Sequence, residues 1–294
     1  MQSHARYALP GLLLGAVLIG LAPILVRLSH TGPTAAAFWR VLLALPVLAL
    51  LRVLAAPAAA TVPRRLGGLW LAGFAFAGDL AFWHQSIRLT SVANATLLSN
   101  LAPVFLALTL QFAFGQRQAG RFWLGLLLSL LGAGLLLARS LQLGAGNALG
   151  DVCGIGSAVF YGAYQLIVSR ARRAWSTLDV MLASSTACAV ALLPLTLAAG
   201  ESLWPTDPSG WWALIGLALV AHVGGQGLIA YALASLPAAF ASVTLLVQPV
   251  AAAVFAWIIL GEAFGIWQAV GGVVVMAGIV LCRLATPAVS QAEK

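Results

Sequence analysis

Asp79, Trp83 and Ser86 stand at helical spacing inside an apolar run, and they are the residues in this chain best placed to do chemistry. A charge in such a run is expensive unless it faces a cavity or a partner. Asp79 therefore reads as an anionic site that binds a substrate ammonium or carries a proton. The plainer alternative is a protonated carboxyl hydrogen-bonded to a neighbouring helix. Asn100 and Pro103 interrupt the next run. A proline there frees a backbone carbonyl that something else must satisfy.

A second set of polar residues lies in the other half of the chain. His222 is expected at a depth similar to that of Asp79, with Gln226 one turn on; each reads equally as a substrate contact or as helix–helix glue. Gln248, just before Pro249, and Thr244, a turn earlier, read the same way. Trp83, Tyr161 and Tyr164 lie deep enough in their runs to form an aromatic wall. Trp70, Trp123, Trp175, Trp204, Trp211, Trp212 and Trp267 sit nearer the ends, where aromatics belong to the membrane interface. His84 points away from the Asp79 face and is nearer the outer surface, so a place in the cavity is its less favoured reading. Arg40 could hold a carboxylate through its planar fork. The favoured expectation is that it snorkels to the outer headgroups. Asn94 and Asn100 suit interhelical hydrogen bonds, Asn100 being the better cavity candidate. Pro23, Pro103 and Pro249 are the expected hinges.

These residues exclude more than they assign. There is no HExxH zinc motif and no glycine-x-serine-x-glycine elbow, and Asp79 has no second mid-membrane aspartate with which to form an acid pair. An enzyme is therefore not expected, nor a metal or other cofactor. Without a P-loop, ATP is not the direct energy source. Cys153, Cys188 and Cys282 are widely spaced in apolar runs and read as small buried hydrophobes. The net charge of +8 does not mark a nucleic-acid binder, because the basic residues sit in short links where membrane topology explains them.

The elements that position these groups follow from composition. Only 7% of residues are charged and 62% are apolar, far from the roughly 25% charged residues of a soluble domain. The chain is expected to be an all-α polytopic membrane protein. Ten runs reach the about 20 residues that a membrane helix needs. They fall at about 8–29, 34–55, 66–88, 92–114, 119–138, 148–170, 177–200, 209–235, 238–260 and 265–284. The first run continues past any small-residue cleavage site, so it reads as an uncleaved helix.

Arg6, Arg52, Arg64, Arg65, Arg117, Arg121, Arg170, Arg172, Arg173, Arg283 and Lys294 fall on one side of this plan. Arg27, Arg88 and Arg139 fall on the other, with Arg40 just inside the second run, as do Glu201, Asp207 and Glu262. The excess of basic residues assigns both termini to the cytoplasm and the protein to the cell (inner) membrane.

The chain also repeats itself. A shift of 146 positions brings Gly78 onto Gly224, Ala93 onto Ala239, Ala95 onto Ala241 and Pro103 onto Pro249. The register continues through Gly115 with Gly261, Gly125 with Gly271 and Gly132 with Gly278. Leu45-Pro46 answers Leu193-Pro194, and Gly20 answers Gly162 more faintly. The reading is two five-helix repeats, residues 1–140 and 141–284, with a tail at 285–294. Five is odd, so the second repeat must enter the membrane inverted, as in transporters whose halves rock about a site between them. Gly11/Gly15 and Gly150/Gly154 have GxxxG spacing, read as packing within one chain, so a monomer is expected.

Two segments carry a family resemblance: SVANATLLSNLAPVFLALTLQFAFGQR and PAAFASVTLLVQPVAAAVFAWIILGE. They resemble the EamA-type ten-helix branch of the drug/metabolite transporter superfamily, in which the Gly261-Glu262 pair is typical; Gly115-Gln116 departs from that pattern in the first half. The segment LAFWHQSIRLTSVANA is most like the YddG-type aromatic amino-acid exporters of that branch. The resemblance implies a secondary transporter that exports small amphipathic metabolites, amino acids including aromatic ones, by alternating access. Its partners would be a small-molecule substrate and the lipid bilayer. Export of another metabolite or drug class, an intramembrane enzyme and a channel are the alternatives.

Overall fold

The computed structural model describes residues 2–55, 67–90, 92–138 and 148–286. Arg64, Arg65, Arg139, Lys294, the expected repeat boundary at 140/141 and residues 287–294 of the tail lie outside them. The described residues form ten helical rods and no strand. They are α1 (Gln2–Gly20 and Ala22–Leu28), α2 (Pro33–Leu42 and Ala44–Leu54), α3 (Gly67–Leu89), α4 (Val92–Ser99 and Ala102–Phe114) and α5 (Gly120–Leu137). The second set is α6 (Ala148–Ala171), α7 (Thr177–Ala198), α8 (Gly210–Gly216, Leu217–Gln226 and Gly227–Ala232), α9 (Ala238–Thr244 and Val247–Leu260) and α10 (Ile266–Ala285).

Nine of these rods are long and apolar enough to cross a membrane. The tenth, α3, is 23 residues long but is diluted by Asp79, His84, Gln85 and Arg88. It is enclosed by α6 and α7 rather than left facing lipid alone. The fold is that of an all-α polytopic membrane protein, and its outward side chains agree: Phe112, Val53, Leu54, Trp212 and Val273 are each at least 70% exposed, which only an apolar surrounding stabilises. Cys153, Cys188 and Cys282 are free and buried, as expected.

The repeat is visible in backbone detail. α4 and α9 end in the same left-handed cap, Gly115 and Gly261, each at φ 67°. Gly115 N–H bonds to Leu110 O and Gly261 N–H to Ala256 O, the same bond 146 positions apart. Both helices break at their middle, at Asn100–Leu101 and at Leu245–Leu246, just before Pro103 and Pro249.

The corresponding helices α5 and α10 pack antiparallel along a glycine seam. A Cβ on Gly132 would meet Gly271 O at 2.7 Å, and one on Gly125 would meet Gly278 O at 2.7 Å. Those two contacts exchange under the 146-residue shift, as an inverted pair requires. Gly20 lies against Gln248, Ala251 and Ala252, and Gly162 lies against Ala102 and Leu106, which are the shifted counterparts of Gln248 and Ala252. Gly15 and Gly154 are likewise pressed onto neighbouring helices of the same chain, Gly15 on α8 and Gly154 on Leu98 and Ser86. Without a hydrophobic drive between helices in lipid, such close backbone approach is what holds a bundle together.

Candidate substrate cavity

Between the two halves lies a cavity of about 180 Å³, lined by α1, α2, α3, α4, α6, α8 and α9. That is room for about a dozen waters at the ~10–15 Å³ of centre-accessible space each needs. The broken helices contribute their breaks. Gly20, Ala22 and Pro23 of α1, Asn100, Ala102 and Pro103 of α4, and Leu245, Leu246, Gln248 and Pro249 of α9 all line it. The residues four before the three prolines, Ile19, Ser99 and Leu245, also line it, so each carbonyl denied its helical partner belongs to the cavity wall. Gln248 N–H closes back onto Leu245 O at 2.9 Å.

Asp79 is part of the wall, roughly 18 Å along α3 from Gly67 and roughly 15 Å from Leu89. Its Oδ1 accepts a short hydrogen bond from Ser157 Oγ at 2.6 Å, and Ser157 Oγ in turn accepts from Ser99 Oγ at 2.9 Å. Ser157 is on α6, where Gly154 and Gly156 let α6 approach α3 and α4 closely enough to make that chain. Nothing in the sequence patterns that singled out Asp79 pointed to Ser157 or Ser99.

The aromatic groups form a stack in depth. Tyr161 lines the cavity, lies 6.2 Å from Tyr164 with an interplanar angle of 9°, and accepts from Gln248 Nε2 at 3.4 Å. Tyr164 stacks on Phe76 at 4.8 Å, and Phe76 stacks on His222 at 5.9 Å. Phe76 and His222 are the same position in the two repeats, so the pair marks where the halves meet.

Among the residues singled out from sequence, Asp79, Trp83, Asn100, Tyr161, Gln226 and Gln248 line the cavity, and so do Pro23, Pro103 and Pro249. Tyr164 and His222 are not in the lining. Tyr164 lies behind Phe76 and accepts from Gln226 Nε2 at 3.0 Å. His222 is 2.8 Å from Ser185 Oγ through Nε2. The segment of α8 that carries His222 and Gln226, Leu217–Gln226, is π-helical, a form that recurs at functional sites. Thr244 bonds back to Phe240 O within its own helix, and Ser86 donates to Gly150 O; neither reaches the cavity.

Two expectations are overturned. Arg40 does not snorkel to headgroups: it is 8% exposed and lines the cavity. The route outward is closed. Trp39 Nε1 donates to Leu203 O at 2.5 Å, and Glu201 accepts from Ala35 N at 2.9 Å and Thr34 Oγ1 at 3.1 Å. Trp39, Trp204 and Trp211 cluster over the end of α2 with centroids 4.9–5.8 Å apart. Ala35, Ala36 and Ala37 are too small to hold α2 away from its neighbours, so Arg40 is carried inward. His84, 2% exposed, lines the same cavity as Asp79 instead of standing apart from it. Gln165, not singled out from sequence, completes the lining; neither of its amide atoms has a hydrogen-bond partner.

Among the described residues no group of three or more His, Cys, Asp or Glu could hold a metal ion. The arrangement is a buried, mostly apolar chamber with, among the described residues, one carboxylate, Asp79, and one guanidinium, Arg40, on its walls beside the His84 imidazole. It can hold a small molecule that is polar at one end and apolar at the other.

The sequence profile of the EamA-like transporter family matches the chain twice, over residues 6–138 and 148–284. An uncharacterized transporter of Archaeoglobus fulgidus is 27% identical over 280 residues, covering 94% of this chain and 96% of that protein. A second uncharacterized transporter of the same organism is 26% identical over 271 residues, covering 88% and 90%. The uncharacterized transporter YdfC of Bacillus subtilis is 25% identical over 219 residues, covering 72% and 69%. One protein crystal structure superposes with a TM-score of 0.80 at 19% identity, over 95% of this chain and 98% of that one, and so shares the fold.

Proposed function

We propose a substrate and a mechanism from one premise: this chain belongs to the EamA-like transporter family, and it is a membrane transporter. The substrate we propose is a small amphipathic metabolite, most specifically an amino acid with an aromatic side chain, exported across the cytoplasmic membrane. The observation that carries this reading is the cavity itself. Asp79, held by Ser157, faces the same space as Trp83 and Tyr161, with the Tyr164–Phe76 stack behind. An ammonium suits the carboxylate and a flat side chain suits the rings.

The mechanism we propose is alternating access. The halves exchange contacts about the Phe76–His222 pair, and α1, α4 and α9 bend at Pro23, Pro103 and Pro249. Each face has a latch between α2 and α7 or its following link. On one face Glu201 holds the start of α2; on the other Arg52 Nε meets Asp179 Oδ1 at 2.5 Å. A second space of about 360 Å³, lined by Gln116, Gln118, Arg170 and Arg173, lies at the face of the Arg52 latch and offers the route from that side. The proposal places both termini in the cytoplasm and takes the monomer as the working unit.

The test is counterflow in proteoliposomes across the twenty amino acids, with and without a pH gradient. Exchange of labelled for unlabelled phenylalanine, tryptophan or tyrosine is the expected result. A channel would give net flux without counterflow, and an enzyme would give a new product. Either outcome would end the reading.

A further inference from the structure

Arg40 and Asp79 both line the cavity, and among the described residues neither has an ion-pair partner; Asp79 accepts from Ser157 Oγ, whereas the Arg40 guanidinium is left short of an acceptor. Arg40 is on α2, about 10 Å in from Pro33, and nine-tenths buried. Among the described residues the ion pairs are Arg27–Glu262 and Arg52–Asp179, so no carboxylate lies within 4.0 Å of Arg40. Its Nε has no hydrogen-bond partner. The Phe76 ring centroid lies 5.6 Å from the guanidinium carbon, an attraction to a ring face and not an oxygen acceptor. A guanidinium presents five donors in a planar fork that matches two oxygens of one carboxylate. Buried without such a partner, it is a costly group, and a fold that closes Trp39, Glu201 and Leu203 over it keeps it there.

The charge balance of the walls narrows the ligand. Of the described Asp, Glu, Lys and Arg residues, only Arg40 and Asp79 line the cavity. A dianion would meet the Asp79 carboxylate, and a simple cation would meet Arg40. A molecule carrying one charge of each sign meets neither difficulty.

We propose that Arg40 is the carboxylate-binding residue of this cavity, and that the substrate is a zwitterion spanning Arg40 and Asp79. The inference rests on the cavity being the substrate site, and it adds the requirement that the substrate carry a carboxylate. The aromatic side chain then points along the Trp83–Tyr161 wall, the third direction left open.

The experiment uses the full chain in proteoliposomes. The best-exchanged of the twenty amino acids is compared with its decarboxylated amine and its deaminated acid as competitors; for phenylalanine these are phenethylamine and 3-phenylpropionate. The wild type should discriminate against the amine by at least about tenfold, the equivalent of one charge-assisted hydrogen bond. Arg40→Gln should shrink that discrimination toward unity, while Arg40→Lys keeps part of it. Equal competition by amine and amino acid in the wild type overturns the inference whether or not any variant folds, and leaves amino-acid export standing. An undiminished carboxylate preference in folded Arg40→Gln also overturns it. If none of the twenty exchanges, the underlying reading falls and this one with it.

Discussion

Replacing Asp79 with asparagine separates the roles this residue could have. The substitution is conservative in shape and leaves the local network intact. Ser157 Oγ donates to Oδ1 at 2.6 Å, and an amide oxygen can accept the same bond. Only the charge and one acceptor are lost. Truncating one partner of a buried, hydrogen-bonded charge pair costs about 2–5 kcal/mol, most of it from the partner left unpaired. Asp79 is half-buried rather than sealed, so the lower end of that range applies, and about 2 kcal/mol is a loss of roughly 30-fold in affinity. The assay is competition in counterflow, with folding checked by detergent gel filtration. Ligands that carry an ammonium should weaken by that factor. A deaminated acid should hold or improve, because Arg40 then faces no carboxylate among the described residues that line the chamber. If Asp79 carries a proton instead, the variant should lose its response to a pH gradient while counterflow survives. Normal transport at every pH, for both ligand types, refutes both roles and leaves Asp79 a structural hydrogen-bond acceptor.

Other consequences follow from the same geometry. Pro103→Ala and Pro249→Ala restore a helical donor beside the cavity and should slow turnover more than they weaken binding; wild-type turnover in both would dismiss the hinges. Gly271→Ala places a methyl 2.7 Å from Gly132 O and 2.7 Å from Leu136 N, so it should lower the melting temperature in detergent by an amount reflecting about 1–3 kcal/mol, whereas Gly134→Ala, with nothing within 4 Å, should not. Glu201→Ala removes the acceptor for Ala35 N and Thr34 Oγ1, charge-assisted bonds of about 1.5–3 kcal/mol, so hydrogen exchange at Ala35 should quicken by roughly ten- to a hundredfold; unchanged protection there would show that the tryptophans alone hold the latch. Phenylalanine, tryptophan and tyrosine should compete better than alanine and glycine, each ring contact contributing about 0.5–1.5 kcal/mol beyond burial; equal competition would remove the aromatic assignment.

The fold was legible because its signals are local or periodic. Apolar runs of membrane length, prolines inside them and glycines in register specify rods, breaks and close crossings without reference to any partner. The broken α4 and α9 and the paired Gly115 and Gly261 caps are such cases. The snorkelling expectation for Arg40 fails because distance along α2 does not set the direction of its side chain. What decides its direction is a lid from the other half of the chain, Glu201 to Trp211, some 160 residues away. His84 fails similarly: a helix face can be assigned from spacing, but the width of the chamber it borders is set by seven helices together.

The mismatches within the repeat carry the information that its matches cannot. Under the same shift that aligns the glycines, Asp79 falls on Gly225, Trp83 on Ile229 and Asn100 on Leu246. Aligning Pro46 with Pro194 sets Arg40 against Cys188, and aligning Gly20 with Gly162 sets Ser157 against Gly15. In each pair one half keeps a small or apolar residue that packs: Gly15 lies against Gly225 O, and Cys188 is fully buried. The other half puts a polar or aromatic group on the cavity wall. A duplicated bundle needs its shared positions to build two equivalent rocking halves. A substrate with distinct ends needs those halves to differ, and a symmetric chamber would present the same chemistry twice. Positions where the echo breaks from small to polar or charged, in helices that otherwise keep register, are therefore where a binding site should be sought. Arg40 and Ser157 satisfy that criterion on sequence alone once the register of α2 and α6 is taken from their proline and glycine.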